Sequence, residues 1–444
     1  MNVRIMITDK FADFIVSLTY EDLPLKVIDQ TKLCFLDFLG VTLRGSKSDS
    51  VNAINNIIRE NDESTIINGM QATALDASLV NGIAAHSLDL DDGHRTAQLH
   101  PGSCVIPAAL ALCEAQNKSG KDLITSIVAG YEITISLGML INPEHRNKGF
   151  HSTGTCGTFG AAAAACKSLY LNKKETINAL GLAGTQASGL LESDHAGSMG
   201  KHLHAGKAAQ SGVLSALLAK EGFTGAGTII DGREGLISAM AGLNTNDKDL
   251  NLENFHILDV YFKKYPVCRH LHSTIDAALD ILHQNNLNAE DIQKIGVKTY
   301  KIAADHDEYN PETVEAMRQS LPLSLAVAIK NKDLNLDVFK IDDDIADISI
   351  KIVIDCGDDL DKLYPNKRSS LVTIDTYKKS YSKRVDLPKG EPENQFTTHE
   401  LVNKFNDLNP DVNMDILQII DNLEDYNIKD LIVMLNNKFK VHGD

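Results

Sequence analysis

Apolar residues recur along the first half of the chain at intervals of three and four, the spacing that puts side chains on one face of an α-helix. Residues 8–19 carry Phe11, Phe14, Ile15 and Leu18 in this way, and Asp22-Leu23-Pro24 restarts the pattern through Leu39, where Gly40 is expected to end the helix. The same spacing predicts helices at about 49–59, 75–88, 103–116, 122–140, 155–169, 174–190, 201–220 and 236–240. Up to residue 255 the pattern is almost wholly helical. GTFGAAAAAC and GLAGTQASG are dominated by Gly and Ala, whose small side chains let helix axes approach closely, so these helices are expected to bury one another. No repeat of the solenoid kind recurs.

Past Tyr261 the pattern changes. After a helix at 273–284, strict alternation of apolar and polar positions marks strands through Ile295, Val297 and Thr299, through Ile348, Ile350, Ile352 and Ile354, and through Val372, Ile374 and Thr376. The KKS before 381–385 suggests a hairpin, and a helix at 314–329 interrupts the strands, so this part reads as a small α+β domain. LPKGEPENQ from Leu387 is a Pro/Gly-rich exit, followed by helices at about 398–408, 413–423 and 429–439. The expected fold is mainly α: a large all-helical domain built from both chain ends, 1–258 and 395–444, with a smaller α+β lid domain, 259–394, inserted between them.

Composition narrows the function classes. Against 43 Lys and Arg stand 60 Asp and Glu, a net charge of -17, which argues against nucleic acid because phosphate binding needs a basic face. Seven cysteines are scattered and never spaced as CxxC, so neither a disulfide framework nor a metal centre is indicated, and a reducing, cytoplasmic setting fits. The N-terminal MNVRIMITDKFADF lacks a signal-peptide core, and no run is read as crossing a membrane.

The residues able to carry chemistry cluster in four places. NGIAAHSLDLDDGHRTAQLHPGS, from Asn81, leaves an apolar helix and crowds Asp89, Asp91, Asp92, His94, Arg95 and His100 into a short connection before the next helix. Carboxylate beside imidazole is the arrangement proton transfer needs, because the acid orients the ring and fixes its tautomer, although acids in such a place also serve as helix caps. GFHSTGTCG sets His151 and Thr153 before an all-small helix whose N-terminus attracts anions. SMGKHLHAGK places Lys201, His204 and Lys207 three apart, broadly on one face. YFKKYPVCRHLH gathers Lys263, Lys264, Arg269, His270 and His272 where the helical part hands over to the inserted domain. Cys268, His270 and His272 have no partner pair at ligand spacing, so no metal is expected. An acidic chain with locally cationic segments suits a small anionic carboxylate drawn into a positive cleft, with no nucleic acid and no membrane as partners. GxGxxG after a strand, GxxxxGK[ST], HExxH and GxSxG are all missing, which leaves proton chemistry without a cofactor.

Taken in order, LPLKVIDQTKLCFLDFLGVTLRG, NGIAAHSLDLDDGHR, GFHSTGTCGTFGAAAAA, GKHLHAGKAAQSG, KKYPVCRHLH and RVDLPKGEPEN resemble the MmgE/PrpD proteins over nearly the whole chain. That family includes 2-methylcitrate dehydratases, cis-aconitate decarboxylases and iminodisuccinate epimerases. The resemblance implies the two-domain fold just described, usually as a homodimer, and a pocket of Asp89, His100, His151, Lys201 and Lys263. It implies that Lys201 and Lys263 hold carboxylates, that His151 and His100 are the acid/base groups and that Asp89 orients or polarises a ring. His94, Arg95, His204, Lys207, Arg269 and His270 are the substrate-binding candidates around them, Arg95 being able to clamp a carboxylate through two nitrogens. Two positions depart from the decarboxylases, which have Thr where this chain has Gly93 and Tyr where it has Leu323. The expected activity is therefore a cofactor-independent hydro-lyase of the 2-methylcitrate type acting on a di- or tricarboxylate. The alternatives are an imino-dicarboxylate epimerase, a cis-aconitate decarboxylase-like enzyme, or a catalytically silent binding protein on the same fold.

Overall fold

The first apolar stripe folds as expected: helix Ile7–Ser17 buries Phe11, Ala12 and Ile15. In the computed structural model, which describes residues 6–244, 250, 252, 254–340 and 342–440, the chain falls into two units. One comprises the residues up to Leu191, Met199–Val260 and the residues from Thr397 on; the other comprises Glu192–Ser198 and Tyr261–Phe396. Residues 1–5 of the stretch read for a leader lie outside the described residues.

The first unit is a bundle of helices: Leu25–Gly45, Ala74–His86, Gly102–Ala115, Gly120–Ile141, Ser152–Ser168, Lys173–Gly184 and Gly200–Lys220. Ser152–Ser168 lies at its centre against Gly102–Ala115, Gly120–Ile141 and Gly200–Lys220, and its run of alanines is fully buried. The Ala74–His86 and Gly200–Lys220 helices cross backbone to backbone. A Cβ at Gly82 would lie 2.7 Å from the Cα of Gly206, and one at Gly206 would lie 2.3 Å from the carbonyl oxygen of Leu79. Only glycine at both positions permits this crossing, and it brings the end of one helix close to the start of the other.

The chain's C-terminal helices pack into this same unit. In helix Thr398–Leu408, Lys404 reaches Asp37 at 2.6 Å and the carbonyl oxygen of Leu90 at 3.0 Å, while Asn409 donates to the carbonyl oxygen of Gly40 at 3.0 Å. This contact explains one departure from the sequence reading. Gly40 does not end its helix, which runs on to Gly45; it lies under Phe405, whose ring would be 3.1 Å from an added Cβ. Three further boundaries differ. The helix expected to reach residue 190 stops at Gly184, that expected over 49–59 stops at Asn55, and that expected over 413–423 is reduced to Ile416–Asp421. Gly120–Ile141, which the sequence reading did not treat as a possible span, is long and apolar enough to cross a membrane; 94% of its most apolar window is buried inside the protein.

The second unit holds a four-stranded sheet in the order Ile352–Cys356, Ile292–Thr299, Ser370–Thr376, Ser380–Val385. The first pair is parallel, with Ile295 beside Ile352, and the other two are antiparallel, with Val297 beside Val372 and Ile374 beside Tyr381. Helices His272–Asn285 and Leu321–Asn331 contribute Leu279, Leu282, Leu325 and Ile329 to the same core as Ile295, Val297 and Val372. The expected strand through Ile348 and Ile350 is half wrong. Asp342 accepts from the Ile345 N–H and starts a helix, Asp343–Ser349, that buries Ile345 and Ile348, so the alternation there is only the overlap of a helix end with a strand start. The helix expected at 314–329 is likewise two helices, because Ser320 is extended and caps Leu321–Asn331 through the Leu323 N–H, with Pro322 in the first turn.

Candidate active site

The connection that follows helix Ala74–His86 folds into a tight turn rather than a solvated loop. Asp89 adopts a left-handed φ of 51°, which Asp tolerates better than most residues, and Asp89, Asp91, Asp92 and His94 are all buried. The Asp89 carboxylate meets the Lys201 ammonium at 3.1 Å, with the two side chains only 6% and 11% exposed. Lys201 opens the helix that the Gly82–Gly206 crossing draws alongside. Asp92 accepts from the Gly102 N–H at 2.9 Å and from the Tyr131 hydroxyl at 2.6 Å. A cavity of about 10 Å³, room for one water at most, lies among Asp37, Asp91 and Asp92. Burial, followed by the fields of Asp37 and Asp91, pushes the Asp92 carboxyl up to about 8, so it carries a proton at neutral pH.

Four imidazoles gather beside this turn. The His100 Nδ1 lies 2.5 Å from the carbonyl oxygen of Asp92, and since a carbonyl only accepts, Nδ1 carries the hydrogen and Nε2 is the nitrogen able to exchange a proton. The His100 N–H donates to the Thr153 hydroxyl at 3.2 Å, which ties the turn to the start of helix Ser152–Ser168. His151 precedes that helix, and its Nδ1 lies 2.9 Å from Nδ1 of His204, so the two rings share a hydrogen bond between them. Gly189, at φ 140°, lies beside both residues, where a Cβ would be 3.4 Å from the His204 ring and 3.5 Å from the Cβ of His151. The fourth ring, His86, stands 5.2 Å from His100 and 5.8 Å from His151 between ring centres. Burial first, then His86, His204, Lys201 and His100, hold His151 well below the ordinary imidazole range. His151 is thus a neutral base at pH 7, next to an ammonium group and a helix N-terminus that both favour a carboxylate.

Of the residues singled out from the sequence, Asp89, His100, His151, Lys201 and His204 therefore come together in the first unit. His94, Arg95 and Lys207 take other places in the same unit. His94 accepts the Ala97 N–H through Nδ1 at 3.1 Å and packs edge-on against His256, which closes the turn. Arg95 contributes to holding Asp259 below the usual carboxylate range, after the hydrogen bond from His256 and the field of His94. Lys207 bonds Gln210 at 3.2 Å.

Lys263, Arg269 and His270 belong to the second unit. Lys263 is 1% exposed there. Arg269 departs from its expected substrate-binding place: it is 3% exposed and donates through Nε and Nη2 to the fully buried Glu391, with Arg368 on the same oxygen at 3.4 Å and Tyr261 in contact with both guanidinium planes. That network holds the fold. His270 is bonded to the Tyr300 hydroxyl at 2.6 Å and stacked on His306. Leu323 lies in the apolar core of this unit and presents no polar group.

Sequence reasoning missed His86, Tyr131 and the pairing role of Asp91. His86 is the last residue of an apolar helix and reads as a satisfied core histidine. Its one clue is the acidic run that begins three residues later.

Comparison with known proteins identifies the family. The MmgE/PrpD N-terminal domain matches residues 9–248 and the MmgE/PrpD C-terminal domain matches residues 265–423. The chain belongs to the MmgE/PrpD family. It is 33% identical over 288 residues to the cis-aconitate decarboxylase of Mus musculus, covering 61% of this chain and 58% of that one. It is 31% identical over 237 residues to a cis-aconitate decarboxylase-like protein of Aspergillus oryzae, covering 51% and 49%. With the cis-aconitate decarboxylase of Aspergillus terreus it shares 24% identity over 371 residues, covering 77% and 76%. The matched regions thus span about half of the Aspergillus oryzae relative and under two thirds of the mouse relative.

Proposed function

We propose that this protein is a cofactor-independent lyase acting on a small di- or tricarboxylate, with His151 and His100 exchanging the proton and Lys201 holding a substrate carboxylate. The observation that carries this reading is the neutral, buried His151 set against Lys201, His100 and His204 at a helix N-terminus. A neutral imidazole accepts a proton from carbon, and the ammonium beside it stabilises the negative charge that then develops on the carboxylate, an effect worth several kcal/mol in a water-poor site.

Two bond-breaking outcomes follow from the same proton relay. In decarboxylation the bond from carbon to a carboxylate breaks, carbon dioxide leaves its electron pair on the carbon, and an imidazole that has drawn a proton from solvent gives it to that carbon. In dehydration a base removes the proton α to a carboxylate, that electron pair forms the alkene, and hydroxide leaves with a proton from the second imidazole as water. The decarboxylase relatives support the first. Gly93 and the core-buried Leu323, which stand where the decarboxylases resembled here have Thr and Tyr, favour the second, dehydration of a 2-methylcitrate-type hydroxy acid. The test is a panel of cis-aconitate, citrate and 2-methylcitrate followed by proton NMR and carbon dioxide release. Carbon dioxide from cis-aconitate selects decarboxylation, and a new alkene from a hydroxy acid without carbon dioxide selects dehydration. Exchange with solvent alone points to an epimerase, and saturable binding with neither turnover nor exchange points to a silent binding protein.

A further inference from the structure

His86 belongs to none of the assignments above, yet its ring is in contact with both His100 and His151. Its side chain is fully buried, and Nδ1 lies 2.8 Å from Oδ2 of Asp91, a carboxylate oxygen that accepts, so Nδ1 carries the hydrogen. The other nitrogen, Nε2, is buried and makes no hydrogen bond. A bare buried acceptor of this kind costs about 1–3 kcal/mol, and natural proteins keep one where it has a task. The same Asp91 oxygen lies 3.7 Å from Nδ1 of His100. One carboxylate thus addresses the Nδ1 sides of two imidazoles, while the His86 ring stacks at 21° to His151.

We propose that His86 and Asp91 form a positioning dyad for the His100–His151 pair, holding the orientation of each ring so that the proton passes through a set nitrogen. The inference rests on the proton-transfer reading of this site. Its physical basis is that a carboxylate bonded to one imidazole nitrogen leaves the opposite nitrogen as acceptor, and that a ring packed face to face cannot turn without displacing its neighbour. When His100 or His151 takes up a proton, Asp91 and Asp89 are the anions near the new charge, and Lys201 and the other rings oppose a second one. Each of these groups is paired with, or acts on, His86 or one of its two neighbours or their partners.

The test uses the full-length protein with ¹⁵N-labelled histidine and three variants, Asp91→Asn, His86→Gln and His86→Ala, each checked for unchanged helicity and unfolding temperature. In Asp91→Asn the amide can still accept from His86 through Oδ1 but no longer carries the negative charge, so the hold on the His86 ring is expected to weaken. The ¹⁵N shifts or titration midpoints of His100 and His151 are expected to move with it. On a substrate from the panel, kcat is expected to fall by about 100-fold with KM within about threefold, and His86→Gln, which still donates to Asp91, to retain more activity than His86→Ala. Histidine signals of His100 and His151 that titrate identically in the wild type, Asp91→Asn and His86→Ala would overturn the dyad. Coupled histidine signals in a protein that turns over none of the acids would support the dyad and remove the lyase reading instead.

Discussion

The two units treat the same residue types in opposite ways. In the second unit Arg269 and Arg368 converge on Glu391, all three side chains no more than 4% exposed, and Tyr261 lies against both cations. In the first unit imidazoles are placed against one another and against Lys201, with Asp89 and Asp91 as the nearest anions. The first arrangement pairs its cations with a shared carboxylate and fixes backbone far apart in sequence. The second depresses the basicity of His151 and leaves it ready to take a proton. The chemistry of a cationic motif is therefore decided by the partner the fold brings to it.

The largest effect that would sharpen this contrast lies in the fold-holding network. Glu391→Ala should leave two buried guanidinium groups without their carboxylate and cost about 3–5 kcal/mol, read as a lower midpoint in urea unfolding. A loss below about 1 kcal/mol would show that the network does not carry the second unit.

A smaller effect concerns the proton on Asp92. The folded pKa of about 8 lies above the usual value of 3.8, so between these the folded state holds a proton that the unfolded state has released. Stability from this group is complete below about pH 4 and is lost as pH rises through 8, at up to about 1.4 kcal/mol per pH unit. His151 and His145, both depressed by burial, act in the opposite sense, because their unfolded forms gain protons below about 6.5. Between pH 7 and 8 the wild type should therefore weaken with pH through Asp92 and through Glu132, which burial raises to about 7, and Asp92→Asn should be flatter, keeping only the Glu132 part. Equal slopes would place the proton elsewhere.

The smallest effect should come from Lys207, one turn beyond His204 and bonded to Gln210. Lys207→Ala should change stability by about 0.5 kcal/mol or less and leave kcat within about threefold. A tenfold loss of kcat would extend the site one turn further along that helix.

These places also show how far the residues could be read before folding. The helical part and the small sheet follow from periodicity and from runs of small apolar residues, and the return of the C-terminal helices to the first unit was expected only as the simplest arrangement. Asp89, His100, His151 and Lys201 became candidates because each sits where a helix meets a polar turn, and the family resemblance, not the spacing, set them apart from His94, Arg95 and Lys207. Arg269 was misread because its partner Glu391 is 122 residues away, a distance across which spacing says nothing. His86 escaped notice for the converse reason: one histidine in an apolar helix looks like core, and only the turn of Asp89 through a left-handed backbone carries Asp91 back to it. Gly40 and Ser320 mark the same limit at the level of elements, since a glycine ends a helix or admits a neighbour according to what packs on it.

The central claim is that His151 moves a proton to or from carbon beside a carboxylate. It is tested most directly by incubating the wild type and His151→Gln in deuterium oxide with the acid turned over in the panel, and following the product by NMR. The wild type should place one solvent deuterium on the product carbon in decarboxylation, or exchange the α-hydrogen in dehydration, and His151→Gln should slow this by about 100- to 10,000-fold while still folding. Deuterium incorporation at the wild-type rate in His151→Gln would contradict the account.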